Sequence, residues 1–324
     1  MSTYRVVVVS LGYGSYDTER EILKPIGAEL ILAPRDCVTE DEVIEAAKDA
    51  DAVLVREAPM GERVINSLQR CKVIVRYGVG VDNIHLHRAR DRKIYVANLP
   101  GYGTEEVSDH AVALLLACVR NLLVRDRNVR QGKPEFDIRD TMFRTTGKVL
   151  GLVGYGLIGK AFHRKWKGFL PHRVLVFDPT APAEVVQENG GEKVDLDVLL
   201  ANSDFISLHA SLTPQSRHLI DESSFQKMKP TAILVNTARG ELVDEKALVR
   251  ALKENRILAA GLDVFEREPP LPPDHPLLSL TNVILTGHMG WYSKDSVKEL
   301  QTRGAQEVFR VLSGEPPKRW VNPW

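Results

Sequence analysis

The pattern that most constrains this chain is an alternation of short β-branched runs with charged stretches of helical period, and it occurs twice. In the first hundred residues, apolar runs at 5–10, 29–33, 52–56, 72–77 and 94–97 read as strands. Between them, 18–25, 39–49 and 63–69 carry apolar residues three and four apart and read as helices. Strands joined through helices need crossover connections, so the sheet is expected to be parallel. These runs lack clean polar alternation, as strands covered on both faces do. A second alternation starts at Lys148, with strands expected at 148–153, 173–178, 205–208, 232–236, 258–262 and 283–285. Six strands with helices between them predict a doubly wound, six-stranded sheet.

Leu99-Pro100-Gly101-Tyr102-Gly103 separates the two alternations. Thr104 is a good N-cap, and Glu105 and Glu106 complement the helix dipole. Val107, Ala111, Leu114, Leu115, Cys118 and Leu122 then follow at helical spacing, predicting one long, mostly buried helix. Residues 135–146 read as a polar loop, 268–276 as a Pro-rich interruption, and 294–312 as a final helix.

Charge and cysteine content narrow the classes. Across 324 residues, 43 Lys and Arg balance 43 Asp and Glu, which argues against a basic nucleic-acid-binding surface or an acidic tail. The longest apolar run, 111–119, is short of the roughly 20 residues that span a bilayer. Cys37, Cys71 and Cys118 have no metal-ligand spacing, and His85, His87 and His110 form no compact cluster with them, so no metal site is expected. His163 and His172 read as solvated. A cytoplasmic protein without nucleic-acid or membrane partners is the expectation.

Gly154-Tyr155-Gly156-Leu157-Ile158-Gly159 is a GxGxxG string, weak alone but here between a strand and the start of a helix. Gly154 permits the tight turn, Gly156 lets backbone approach a pyrophosphate, and Gly159 allows close helix–sheet packing. The helix N-terminus supplies free N–H groups for phosphate. Asp178 ends the next strand, about 20 residues on, where an acidic side chain accepts from ribose hydroxyls and repels a 2′-phosphate. The pair points to NAD rather than NADP.

Ligands of open α/β sheets sit beyond the carboxyl ends of the strands. Each later strand runs into a polar loop there: His209-Ala210-Ser211-Leu212-Thr213, Asn236-Thr237-Ala238-Arg239-Gly240, Asp263 to Pro269, and Thr286-Gly287-His288-Met289-Gly290. Arg239, Glu268 and His288 thus follow three different strands. Hydride addition to a keto group creates oxyanion charge, which calls for a fixed cation and a proton donor. Arg239 offers a planar fork for carboxylate and keto oxygen. His288 can donate or accept the hydroxyl proton, with Glu268 favouring the imidazolium.

With these residues in view, the sequence resembles the D-isomer-specific 2-hydroxyacid dehydrogenases over essentially its whole length. The resemblance is carried by Val75-Arg76-Tyr77-Gly78-Val79-Gly80-Val81-Asp82-Asn83, Asn98 to His110, the Gly154–Gly159 turn, Asn236 to Gly240, Gly261 to Pro269, and His288. It implies two Rossmann-like or flavodoxin-like domains with the active site in the cleft between them. The substrate domain would comprise 1–101 and 293–324, and the NAD-binding domain 102–292. It also implies a homodimer, with the helix from Thr104 as its contact and hinge element.

Carried over by position, Arg239 resembles the catalytic arginine, and Glu268 with His288 the acid–base dyad. The N–H groups of Val79 and Gly80 resemble the loop that holds the substrate carboxylate. Thr104, Leu157, Ile158, Asp178, Thr237 and Asp263 match NAD-contact positions, Asp263 toward the nicotinamide carboxamide. His209, Ala210, Thr213, Ala238 and Gly290 join them as cofactor candidates. Gly78, Arg56 and Arg76 join the substrate side, the arginines fitting phosphoglycerate dehydrogenases. Tyr77 and Trp291 would favour an apolar or aromatic keto-acid tail. Gly287 departs from the family, which commonly has Pro before the histidine. Trp291-Tyr292-Ser293 also resembles the branch that includes C-terminal-binding-protein corepressors, so an NAD(H)-sensing interaction protein is the alternative to an enzyme reducing small 2-keto acids. A relative acting on phosphite or formate is a third possibility, with Glu268 counting against formate.

Overall fold

The computed structural model describes residues 4–133, 142–267 and 270–324. They form two compact units, Met1–Gly103 with Ser293–Trp324, and Thr104–Tyr292.

The first unit contains strands β1 (Tyr4–Val8), β2 (Ala28–Leu32), β3 (Ala52–Val55), β4 (Val73–Arg76) and β5 (Tyr95–Ala97), all parallel, in the order β2-β1-β3-β4-β5. This is the flavodoxin-like order. Helices α1 (Asp17–Leu23), α2 (Glu40–Ala47), α3 (Glu62–Ser67) and α4 (Leu86–Asp91) make the crossovers. Thr39 starts α2 through a capping box with Glu42, as the Thr-x-x-Glu spacing requires. One sheet face is sealed by α2, α3 and α4 through Val43, Val64, Ile65 and Ala89 against Val7, Val53 and Ile74. The C-terminal helix, Lys294–Leu312, packs on α1 and β4.

The second unit opens with α5 (Thr104–Val119) and α6 (Leu122–Arg130). Its strands are β6 (Val149–Val153), β7 (Arg173–Phe177), β8 (Glu192–Lys193), β9 (Phe205–Leu208), β10 (Ile233–Asn236), β11 (Ala259–Leu262) and β12 (Val283–Leu285). They form one parallel sheet in the order β12-β11-β10-β9-β6-β7-β8. Helix α7 (Leu157–Trp166) connects β6 to β7. Separate apolar clusters cover the two faces, one around Leu234, Leu248 and Phe265, the other around Leu115, Phe162 and Trp166. The α/β doubly wound class expected from the alternation is the class observed.

Two expectations need correction. The sheet has seven strands, because Glu192–Lys193 adds a two-residue edge paired to Leu175 and Val176. Both residues are polar and exposed, so no apolar run announces them. The helix from Thr104 stops at Val119. Asn121 adopts a left-handed conformation, φ 51°, and the chain resumes as α6 at 60° to α5. Ala111, Leu114, Leu115 and Cys118 are buried as their spacing requires, while Leu122 lies beyond the break and is exposed. The expected loop at 135–146 falls largely outside the described residues. Among the described residues, no single helix is long and apolar enough to cross a membrane.

Candidate active site

The strand order of the second unit reverses between β6 and β9, and the GxGxxG turn leaves the carboxyl end of β6 at that switch point. Gly154 has φ +93°, and a Cβ there would stand 2.5 Å from the Ala210 nitrogen and 2.6 Å from the His209 carbonyl carbon. Only glycine lets the β6 and β9 loops approach this closely. A Cβ on Gly159 would sit 2.3 Å from the Gly154 carbonyl oxygen. Gly156 has open space beside it and caps α7 with no side-chain acceptor. The first-turn N–H groups at Leu157 and Ile158 are therefore available to an anion, as a pyrophosphate requires.

A latch without any sequence signal steadies this turn. The Tyr155 hydroxyl lies 2.7 Å from His163 Nδ1, and both side chains are buried. His163 is thus a core residue of α7, correcting its reading as solvated; burial, then the charge of Lys167, push it down to about 4. Asp178 acts from the other side. Its Oδ2 accepts from the Tyr155 N–H at 2.7 Å, and its Oδ1 from Thr180 N–H, Thr180 Oγ1 and Ala181 N–H at 2.7, 2.8 and 3.0 Å. Burial opposes the charge, but these bonds outweigh it and hold the carboxyl below its ordinary range.

His209 reaches the turn through its backbone. Its ring packs 5.2 Å from Phe162 and lies 3.0 Å from Ser207 Oγ, and burial pushes it down to about 3. Ala210 and Thr213 follow in the same loop, where Thr213 Oγ1 receives the Ser216 N–H. Thr237 carries a buried hydroxyl oxygen with no hydrogen-bond partner among the described residues. An open glycine cradle, an uncapped helix start and an orphaned hydroxyl on one edge fit a dinucleotide. Thr104 begins α5, in the same unit.

The remaining loops leave three adjacent strands. Arg239 follows β10, Asp263 follows β11 and His288 follows β12, with Asn236 paired to Leu262 and Leu262 to Leu285. Neighbouring parallel strands stand about 4.8 Å apart, so their exits lie side by side. Asn236 shapes the first loop, receiving the Ala238 N–H at 3.0 Å and donating to the Arg239 carbonyl at 2.8 Å. A Cβ on Gly240 would fall 1.9 Å from the Phe265 carbonyl carbon, so the Arg239 loop presses backbone to backbone on 265–266. Glu268 itself lies outside the described residues.

Asp263 organises the histidine loop. Its carbonyl accepts the His288 N–H at 2.7 Å, its Oδ1 the Met289 N–H at 3.0 Å and its Oδ2 the Gly290 N–H at 2.8 Å. Thr286 Oγ1 donates to Oδ1 at 2.6 Å, and His110 Nε2 stands 3.4 Å away. Burial opposes this charge too, and the bonds from His110, Thr286, Gly290 and Met289 hold the pKa down. From sequence, this carboxylate is expected to meet a nicotinamide carboxamide. In the structure Oδ1 is taken by Thr286 and Met289, while Oδ2 accepts from Gly290 alone and keeps a second acceptor position, and the same hub holds His288 in a left-handed backbone, φ 52°. His110 and Thr286, both unforeseen, complete that hub; their only sequence signal is placement beside His288 and in the Asn98 to His110 segment. Trp291 follows, its ring edge-on to Tyr292 at 5.8 Å.

In the first unit, the Val79 and Gly80 N–H groups follow β4 and donate no hydrogen bond among the described residues. Gly78 has φ +148°, and a Cβ there would lie 1.4 Å from Arg76 Nη1. Arg76 also donates to the Tyr77 carbonyl at 2.8 Å and pairs with Glu57 at 3.1 Å. Arg56 approaches Gly12, where a Cβ would meet Nη1 at 2.8 Å. Tyr77 is a correction: its side chain is buried and bonds Glu19, so its ring does not line a substrate pocket. Alternation alone cannot tell that the last residue before a loop turns inward.

Residues 112–290 match the family described as D-isomer specific 2-hydroxyacid dehydrogenase, NAD binding domain. The chain is 42% identical over 284 residues to a glyoxylate reductase of Korarchaeum cryptofilum, covering 86% of this chain and 85% of that one. It is 41% identical over 288 residues to a D-3-phosphoglycerate dehydrogenase of Methanocaldococcus jannaschii, covering 88% of this chain but 54%, about half, of that relative. A crystal structure of a Thermus thermophilus protein superposes with a TM-score of 0.88 at 32% identity, covering 98% of this chain and 99% of that one. Relatives of this kind are named for oxidoreductase activities, which favours an enzyme over a corepressor-like sensor. The chain belongs to the D-isomer-specific 2-hydroxyacid dehydrogenase family, the NAD-dependent oxidoreductases of 2-hydroxy acids.

Proposed function

We propose that the protein reduces a small 2-keto acid, of the glyoxylate or hydroxypyruvate type, to the D-2-hydroxy acid, with Arg239, His288 and Glu268 as its catalytic residues. The observation that carries this reading is the Asp263 hub, which leaves β11 between the exits of β10 and β12 and so ties the His288 loop to the same sheet edge as the Arg239 loop, two strands away. NADH supplies the hydride when bound. The GxGxxG turn and uncapped α7 hold its pyrophosphate, Asp178 its ribose, and Thr237 a further polar group. Arg239 binds the carboxylate and polarises the keto oxygen, where negative charge develops. His288 gives its proton to that oxygen, with Glu268 as its partner in the acid–base dyad. The Val79 and Gly80 N–H groups hold the substrate carboxylate.

A substrate with a second anionic group, such as 3-phosphohydroxypyruvate, is the second reading. It is favoured by Arg56, whose guanidinium has no ion-pair partner among the described residues. NADH oxidation measured over glyoxylate, hydroxypyruvate, pyruvate, phenylpyruvate and 3-phosphohydroxypyruvate separates the two. The highest kcat/KM on glyoxylate or hydroxypyruvate supports the first, and on the phosphate ester the second. Turnover of none of them defeats both. The same reading includes a cytoplasmic homodimer. It is supported by three buried, unpaired cysteines and by the exposed Leu122, Leu123 and Val129 of α6 as a face for a second copy. A monomeric mass in light scattering would remove the dimer.

A further inference from the structure

Glu19 of α1 is fully buried, yet no cation pairs with it among the described residues; its neighbour Arg20 turns to Asp17 at 3.2 Å. The carboxylate accepts the Tyr77 O–H at 2.7 Å, and Gln301 Nε2 lies 3.1 and 3.0 Å from its two oxygens. Gln301, on the C-terminal helix, also donates to the Ser15 carbonyl at 2.7 Å. Three segments far apart in sequence therefore converge on one unpaired buried carboxylate, an arrangement that costs stability compared with an apolar contact. Such local conflicts concentrate where function needs them.

What the carboxylate holds is Tyr77. Its ring stands edge-on to Tyr13 at 5.3 Å, and a Cβ on Gly304 of the C-terminal helix would lie 2.7 Å from it, so the ring is clamped on two sides as well as at its hydroxyl. The Tyr77 backbone donates to the Val55 carbonyl at 2.8 Å and accepts from Arg76 Nη1 at 2.8 Å. Gly78, Val79 and Gly80 follow without a further helix or strand. The loop's carbonyls are tied at Gly78, which accepts the Leu99 N–H at 2.8 Å, and at Val79, which accepts from Asn98 Nδ2 at 2.7 Å, so a shift of an unanchored Tyr77 would act on the start of a loop that these bonds also hold.

We propose that Glu19 is a positioning residue for substrate binding: by holding the Tyr77 hydroxyl it fixes the 78–80 backbone that takes the substrate carboxylate. This rests on the reading of that loop given above. Tyr77→Phe removes the donor of the bond, and Glu19→Gln removes the charge and one of the two acceptor oxygens that Tyr77 and Gln301 share, both with little change of shape. Both are expected to raise KM for the keto acid about tenfold, with kcat and KM for NADH within about twofold. Gly80→Pro, which deletes a loop N–H, tests the underlying reading. If it raises KM and the other two variants do not, the role of Glu19 is refuted and the loop stands. An unchanged KM in Gly80→Pro refutes the loop, and the proposal with it. Loss of kcat and NADH binding together with substrate affinity in Glu19→Gln marks a merely structural residue and also overturns the proposal. Should neither conservative variant fold, Gln301→Leu strips the amide from Glu19 and is read by the same KM criterion.

Discussion

Replacing Asp178 with Asn separates its two uses. The carboxylate commits about four acceptor positions to Tyr155, Thr180 and Ala181. Three of these bonds fall on Oδ1 and one on Oδ2, so ribose hydroxyls would have to share Oδ2 with the Tyr155 N–H, while the negative charge acts on a 2′-phosphate without any such competition. At about 5 Å, one negative charge against a phosphate of about −1.5 to −2 gives roughly 1 kcal/mol in bulk water and about 5 kcal/mol at an effective dielectric near 20. Asp178 is partly exposed, so the lower half of that range applies. Asp178→Asn is then expected to move the ratio of kcat/KM for NADH over NADPH about 10- to 100-fold toward NADPH. The amide has one oxygen for two sets of donors, so a stability loss of about 1–3 kcal/mol accompanies the change. Steady-state kinetics with both cofactors and chemical denaturation read the two effects separately. An unaltered cofactor ratio with the stability loss intact would refute the charge argument and leave Asp178 a turn-holder.

Other expectations follow from the same contacts. His288→Ala is expected to lower kcat by about 10²–10⁴ while the NADH dissociation constant stays within about twofold, checked by stopped-flow turnover and fluorescence titration. Gly240→Ala drives a Cβ into the Phe265 backbone and is expected to cost about 1–3 kcal/mol and to lower kcat with it; an unchanged melting temperature contradicts the packing. His163, ordinarily near 6.5 and held at about 4, is neutral in the fold, so the unfolded chain binds the extra proton as pH falls from about 6.5 to about 4. Stability is complete above that window and about 2 kcal/mol lower by pH 5 from this residue alone. Urea denaturation at pH 7 and 5 should show the loss, and His163→Phe should flatten it; an equal slope in the variant discounts the histidine.

Much of this protein was legible in its residues because the signals are local. Short β-branched runs and period-3.6 apolar patterns mark strands and helices before any contact forms. A glycine demanded by a left-handed turn, as at Gly154, is marked by its own identity. Parallel strands also place every loop that follows them on one edge, so the loops carrying Arg239, Glu268 and His288 could be grouped from order alone. Polar residues whose partners lie far along the chain carried no such mark. Glu19 reads as one more charge on a short helix until Tyr77 and Gln301 close around it. His163 reads as solvated until Tyr155 folds back onto it, and Leu122 as core until Asn121 breaks the helix. Sequence by itself determined the α/β class, the nucleotide turn and the residue types available for chemistry, since backbone preference and hydrophobic period act over a few residues. Tertiary structure decided which of the polar groups are buried, what each one holds, and which backbone they keep in place, since hydrogen bonding in the interior pairs groups by proximity and not by sequence distance.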